Sequence, residues 1–166
     1  MSIVRILLAP LIVGFLFLFF NKVIMSAEIV DVHAEKYKSH LLVKHFPFTD
    51  RGKLKWWEDN RIMLKEKYNI PQPYESGRYS ITVWDIGDGY LEEKPRENTF
   101  FPSHDVDYLF CFDDMKVKKN CVDKENWLMD ISQNREGDLY IDVKGATYRQ
   151  TENGFEKLKK ASTVYK

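Results

Sequence analysis

The chain lacks any concentration of one charge. Its 166 residues carry 25 basic and 25 acidic side chains. Because Arg5 and Lys22 precede residue 28, the remainder of the chain holds 23 basic and 25 acidic side chains. Binding of nucleic acid requires a concentrated basic surface. The charge balance therefore argues against a nucleic-acid partner.

The chain also lacks the motifs of the common enzyme classes. It contains no H-E-x-x-H pair, no G-x-S-x-G elbow and no glycine-rich phosphate loop. Carboxylate pairs occur, but polar loops produce such pairs freely, so they indicate a glycosidase only weakly. We therefore expect no catalytic activity, no cofactor and no metal ion. The histidines are His33, His40, His45 and His104, and the carboxylate pairs are Glu92/Glu93, Asp105/Asp107 and Asp113/Asp114.

One long apolar run is present, and it lies near the N-terminus. Ile6–Phe20 contains fifteen consecutive residues without a charge, between Arg5 and Lys22. Extended to Ile3–Met25, the segment has the ~20 residues that a bilayer-spanning helix needs. A retained membrane anchor and a cleaved export signal both fit, although no clean A-x-A cleavage pattern follows the run. We predict an anchor in the bacterial inner membrane, a single pass, and a C-terminal domain in the periplasm.

The rest of the chain is the size of one domain. No internal repeat, low-complexity tract or proline- or glycine-rich linker divides it. We predict an anchor or signal-anchor at residues 1–27, an extracytoplasmic α+β domain at residues 28–150, and a C-terminal tail with a helical tendency at residues 151–166. Whether the N-terminal segment is removed is left open.

Cys111 and Cys121 are the only two cysteines, and the ten-residue separation between them is mostly polar. Two strands joined by a polar turn would bring their side chains together. In an oxidising compartment such a pair forms a disulfide. Two buried free thiols are the alternative, and a metal site would need more ligands than these two sulfur atoms.

One segment has the features of a packed helix. Thr49 or Asp50 can cap its start, and Asn69 and Pro71 follow its end near Tyr68. Its core-facing stripe consists of Leu54, Trp57, Leu64 and Tyr68.

Trp56 and Met63 fall on the opposite side of that helix. Either a loop or the first hairpin covers them, or they form an exposed apolar spot for a partner. The candidate partner-binding residues are Trp56, Met63, Tyr90, Phe100 and Phe101.

Short β-rich runs predominate outside the helix. Glu28–His33 and His40–Phe46 flank a polar turn, as in a hairpin. We predict the α+β class: an N-terminal transmembrane helix, then a small antiparallel sheet with one main packed helix. The further predicted strands are Tyr79–Ile86, Val106–Phe112, a strand around Cys121, Trp127–Ser132, Leu139–Val143 and Ala146–Gln150.

The segment Asp85-Ile86-Gly87-Asp88-Gly89 combines oxygen ligands with glycines that permit a tight turn. It lacks the third ligand position and the closing glutamate of an EF-hand loop. We interpret it as a structural turn rather than a calcium site.

Several short motifs occur together in this order and spacing: VKHFPFTD at residues 43–50, WWE at 56–58, LKEKYNIP at 64–71, WDIGDGY at 84–90, LFCFDDMK at 109–116 and KNC at 119–121. Together they resemble one family, the enteric-bacterial membrane proteins grouped as domain of unknown function 943. The similar region runs from the apolar run to about Asn134. The resemblance implies a short N-terminal membrane segment and a small extracytoplasmic domain, and it brings no catalytic residues with it.

Three functions are compatible with these features. The first is a non-enzymatic binding protein at the outer face of the inner membrane, for example an immunity protein that neutralises a secreted antibacterial toxin. The second is an assembly or structural factor of an envelope complex. The third is an envelope hydrolase that would use Asp85 or Asp88 with Asp113 or Asp114. We expect the membrane and a protein to be the partners, and we favour the first function.

Overall fold

The structure is a computed structural model that describes residues 27–95 and 106–159. The predicted anchor segment Ile6–Phe20 lies outside these residues. Within the two described ranges, no helix is long and apolar enough to cross a membrane.

One long helix and ten strands make up the described part of the chain. Their order is β1 Glu28–Glu35, β2 Lys38–Lys44, α1 Asp50–Tyr68, β3 Tyr79–Asp85, β4 Leu91–Glu92, β5 Leu109–Cys111, β6 Lys119–Asp123, a 3₁₀ turn Lys124–Asn126, β7 Trp127–Gln133, β8 Leu139–Val143, β9 Ala146–Thr151 and β10 Gly154–Lys157. The α+β class is confirmed. Every strand predicted between Glu28 and Gln150 is present, Leu139–Val143 with the predicted ends and the others with shifted ends.

Seven strands form the main sheet, in the order β1-β2-β3-β7-β8-β9-β10. The pair β2–β3 is parallel, whereas the other five pairs are antiparallel. The predicted antiparallel sheet is therefore wrong at this one pair. The reason is that α1 connects β2 to β3. The helix returns the chain to the end of the sheet at which β2 begins, so the next strand runs in the same direction as β2.

The helix begins and ends as its sequence predicts. The Thr49 hydroxyl accepts a hydrogen bond from the Gly52 N–H at 3.1 Å, and Asn69 adopts a left-handed conformation at the end. The predicted stripe packs on the main sheet, with Trp57 and Leu64 buried and Leu54 and Tyr68 half-buried. The facing sheet residues include Leu41, Ile81, Val83, Met129, Ile131 and Ile141.

The C-terminal tail contains a strand rather than a helical tendency. β10 pairs with β9 in an antiparallel hairpin and closes one edge of the main sheet. The predicted domain boundary at residue 150 is therefore too early. Phe155 is the physical reason, because its side chain packs against the core on the helix side of the sheet. Residues 160–166 lie outside the described part.

A second, three-stranded sheet, in the order β4-β6-β5, packs on the face of the main sheet opposite α1. Side chains alternate between the faces of a strand. Leu41 and Val43 therefore join the core beneath α1, whereas Leu42 joins a second core with Trp84, Phe112 and Val122.

The main sheet has two ends that matter below. At the proximal end β1 begins, where Glu28 pairs with Lys44. At the distal end β3 begins, where Tyr79 pairs with Gln133. The seven residues of β3 separate the two ends by about 20 Å, at ~3.3 Å per residue.

Candidate functional site

Cys111 and Cys121 form a disulfide inside the small sheet. They are direct cross-strand partners on β5 and β6, and their sulfur atoms are 2.03 Å apart. The predicted pairing is confirmed. The bond links the end of β5 to β6. It therefore also restrains Phe112 and Asp114, which follow Cys111 within three residues.

His33 lies at the centre of a polar cluster between the two sheets, and its side chain is 4% exposed. Its Nδ1 is 2.8 Å and 3.0 Å from the two carboxylate oxygens of Asp114. Its Nε2 is 2.7 Å from the Tyr90 hydroxyl, which donates a hydrogen bond to Asp31 at 2.7 Å. The imidazole stacks on Phe112 with ring centroids 3.9 Å apart. We call these five residues the His33 cluster.

Hydrogen atoms must be shared along this chain of groups. With both carboxylates ionised, three contacts join Asp114, His33, Tyr90 and Asp31, and each needs one hydrogen. The Tyr90 hydroxyl supplies one. A neutral imidazole supplies one more, whereas an imidazolium supplies two.

His40 lies beside this cluster as the cross-strand partner of His33. Its Nδ1 accepts a hydrogen bond from the Trp84 indole N–H at 3.3 Å, so this nitrogen carries no proton. Burial, and then the neighbouring charges of His33 and Lys38, lower the pKa of His40 from 6.5 to about 4. His40 is thus held neutral beside the His33 cluster.

The His33 cluster connects the two sheets; its imidazole is buried, whereas the side chains of Asp31 and Asp114 are 44% and 49% exposed. Asp31 and His33 belong to β1, Tyr90 precedes β4, and Asp114 follows β5. Both imidazole nitrogens and the tyrosine hydroxyl are used inside the cluster. Burial and the hydrogen bond to Asp31 raise the pKa of the Tyr90 hydroxyl well above its usual range. The arrangement is better suited to holding the two sheets together than to acid–base chemistry.

The segment Asp85–Gly89 is a turn. The Asp85 carboxylate accepts a hydrogen bond from the Gly87 N–H at 2.9 Å, and Gly87 and Gly89 have positive φ. In the part of the chain that the structure describes, no group of three or more His, Cys, Asp or Glu side chains could hold a metal ion.

Trp56 is not the exposed partner anchor that the helical wheel suggested. It is 7% exposed and packs edge-to-face on Phe46, with ring centroids 4.9 Å apart. Phe46 reaches it because the chain turns sharply after β2, where His45 has a φ of 56°. The alternative that a neighbouring segment covers this side of the helix is the correct one.

The other candidate anchors have mixed positions. Met63 is half-buried and packs against the core beneath α1. Tyr90 is half-buried as well, and its hydroxyl is held by the His33 cluster, so it is not a freely exposed anchor. Phe100 and Phe101 lie outside the described residues.

A groove lies at the distal end of the domain, away from the His33 cluster. It has a volume of about 610 Å³ and lies between the second half of α1 and the ends of β3, β7 and β8. Its apolar wall consists of Trp57, Ile62, Pro71, Pro73, Tyr79 and Leu139. Its charged rim consists of Arg61, Lys65, Glu66 and Asp138. We call it the distal groove.

Further apolar side chains are exposed at the distal end. Ile62, in the apolar wall of the distal groove, is 65% exposed. At the same end of the sheet, Tyr37 and Tyr74 stack edge-to-face with centroids 5.6 Å apart, and both are exposed. Sequence reasoning missed this surface, although Ile62 falls off the core stripe of a well-predicted helix. An apolar residue on the solvent side was the available signal.

A family model described as enterobacterial putative membrane protein (DUF943) matches residues 1–161. The chain belongs to this family. The DUF943 match covers both the apolar run and all of the described residues, so it extends beyond the region to about Asn134 that the motifs indicated. No curated protein and no solved structure matches the chain.

Proposed function

We propose that this DUF943 protein is a membrane-tethered binding protein without catalytic activity, and that its distal groove binds a polypeptide in the periplasm. The carrying observation is the groove itself, which combines an apolar wall with a charged rim. Interfaces of this kind bind through a desolvated apolar centre surrounded by polar contacts.

Two features support a location outside the cytoplasm. The apolar run Ile6–Phe20 has the composition of an anchor or export signal. The Cys111–Cys121 disulfide is typical of proteins that mature in an oxidising compartment. The two features are independent of each other, since one lies near the N-terminus of the sequence and the other in the folded domain.

The shape of the apolar surface favours a polypeptide over a small molecule. A small ligand is largely enclosed by its pocket. Here Ile62, in the apolar wall of the distal groove, is 65% exposed, and the exposed Tyr37–Tyr74 pair lies at the same end of the sheet. A protein segment can cover the groove and this surface together.

A concrete version is an immunity protein that blocks a secreted antibacterial toxin. Such a protein needs no cofactor and no reactive group of its own, which agrees with the use of both His33 nitrogens and the Tyr90 hydroxyl inside the His33 cluster. Co-expression with a toxin encoded by a neighbouring gene tests this version. We expect survival of the cells and co-purification of the pair. Death of the cells without any complex would contradict the immunity role.

The groove itself is tested with a matched pair of variants. Ile62→Asp places a charge on the groove rim, whereas Val117→Asp places one on a similarly exposed apolar residue of the small-sheet region. We expect Ile62→Asp to abolish protection and complex formation, and Val117→Asp to preserve both. Equal behaviour of two folded variants would contradict binding in the distal groove.

An envelope assembly factor is the alternative binding function, and the anchor distinguishes it. Replacing Ile6–Phe20 by an unrelated anchor should preserve binding at the distal groove. Loss of function after this replacement would favour the assembly factor. The hydrolase hypothesis has less support, because the Asp85 carboxylate caps its own turn and Asp114 is bonded to His33.

A further inference from the structure

The proximal end of the domain exposes one aromatic ring. Phe48 lies in the loop between β2 and α1 and is 85% exposed, more than any other large apolar side chain in residues 27–95 and 106–159. Its neighbours in the loop behave differently, because Pro47 is buried and Phe46 packs against the core. Packing within the fold therefore does not explain an aromatic residue at position 48.

Covalent geometry limits the distance between this ring and the apolar run. From Phe20 to Ala27 there are seven residue steps, which span at most ~25 Å when fully extended. Glu28 then pairs directly with Lys44 at the proximal end. Phe48 follows Lys44 by four residues, a reach of at most ~14 Å. The exposed ring is thus on the side of the domain from which the apolar run departs.

The charges around Phe48 are mixed. Lys44 and Arg51 are exposed on either side of it, and both can reach lipid phosphates. Glu28 and Asp85 are exposed at the same end of the sheet. Because acidic and basic groups occur together, a general attraction to an anionic membrane surface is not the argument for a membrane contact. The argument is the position of the aromatic ring.

We propose that the proximal end rests on the outer surface of the membrane, with the Phe48 ring inserted among the lipid headgroups. Aromatic and apolar side chains flanked by Lys and Arg favour this interfacial region. The inference rests on the membrane attachment that is part of the proposed function. It deepens that function, because a domain seated in this way turns its distal groove away from the bilayer, towards soluble partners.

Depth-sensitive fluorescence on the full chain tests the contact. The protein is reconstituted into vesicles of phosphatidylethanolamine with a minority of phosphatidylglycerol. A single cysteine at Phe48→Cys or at Ile62→Cys carries an environment-sensitive dye, while Cys111 and Cys121 remain paired. Lipids with a quencher near the headgroup are then added to the vesicle composition. Ile62 is the matched control, since it is also exposed but lies in the distal groove.

We expect several-fold stronger quenching at position 48 than at position 62. A second pair of samples carries the dye at Lys44→Cys with and without Phe48→Ser. Quenching there should decrease when the ring is removed. Equal quenching at positions 48 and 62 in protein that floats with the vesicles would overturn the inference alone. Protein that does not float with the vesicles would overturn both the inference and the membrane attachment.

Discussion

At the scale of single residues, the His33 cluster is the most specific arrangement in the described domain. It buries an imidazole whose two nitrogens contact groups from two other segments, Tyr90 and Asp114. Tyr90 and Asp114 are 57 and 81 residues away from His33 in the sequence. No periodicity or short motif indicates such pairs, so the cluster could not be predicted from the sequence. Carboxylates at 113 and 114 were noted only as a weak pair.

The contact between His33 and Asp114 should stabilise the fold. Asp114→Asn removes the charge that faces the imidazole, and a charge-assisted hydrogen bond to a buried partner is lost. Because the Asp114 carboxylate is itself 49% exposed, we expect a modest decrease of about 1–2 kcal/mol in the free energy of unfolding, measured in urea.

Asp113→Asn is the control for that variant. Asp113 is exposed and adjacent, and it carries the same charge. This change should leave the free energy of unfolding within the usual range of a surface substitution, about 0.5 kcal/mol. If both variants lose the same stability, the specific contact with His33 is not the cause.

His40 should make the domain less stable in mild acid. Its pKa is lowered to about 4 in the fold and has its ordinary value of 6.5 in the unfolded chain, so the unfolded chain binds the proton first as the pH falls. The stability that neutral His40 contributes is therefore complete above pH 6.5 and is lost progressively between pH 6.5 and about 4. Burial is the main cause, and the charges of His33 and Lys38 add to it, while Asp114 acts in the opposite direction.

Urea unfolding at a series of pH values measures this effect. The His40→Gln variant is the comparison, because glutamine can still accept the Trp84 indole hydrogen but does not titrate. Subtracting its pH dependence removes other groups such as Asp130, whose pKa is raised by burial. We expect the wild-type protein to lose more stability than the His40→Gln variant between pH 6.5 and about 4. Parallel curves for the two proteins would contradict a neutral His40 in the fold.

At the scale of secondary-structure elements, local signals predicted the helix well. Thr49 caps its N-terminus and Asn69 caps its C-terminus, and the apolar stripe sets the face that packs on the main sheet. The parallel pairing of β2 and β3 depends instead on which strand lies next to which, and this is a tertiary choice that strand composition does not record. β10 was missed because its four residues, GFEK, have no β-rich pattern and pair through the Thr151–Gly154 turn.

The small sheet is the element that the disulfide should stabilise. Cys111 and Cys121 are separated by ten residues. Closing a loop of this length stabilises by roughly 2–3 kcal/mol in the loop-entropy model. We expect the double variant Cys111→Ser/Cys121→Ser to lose stability of this size in urea unfolding. Addition of a reducing agent should lower the midpoint of the wild-type protein and leave the double variant unchanged. Insensitivity of the wild-type protein would contradict a stabilising role for the bond.

At the scale of the whole molecule, the two ends of the main sheet have different surfaces. The proximal end joins the apolar N-terminal run and exposes Phe48. The distal end carries the distal groove and the Tyr37–Tyr74 pair. Composition predicted a membrane-associated binding domain. Of the described residues named as anchors, however, Trp56 is buried, and Met63 and Tyr90 are half-buried. A helical wheel treats every helix as isolated, whereas Phe46 covers Trp56 from outside it.

Photocrosslinking in intact cells is the most direct measurement of where the partner binds. A photoreactive amino acid replaces Ile62 at the rim of the distal groove, or Val117 as an equally exposed control. We predict that position 62 forms a covalent adduct with one exported polypeptide and that position 117 does not. Adducts at neither position, or the same cytosolic proteins at both, would contradict a periplasmic binding protein that uses this groove.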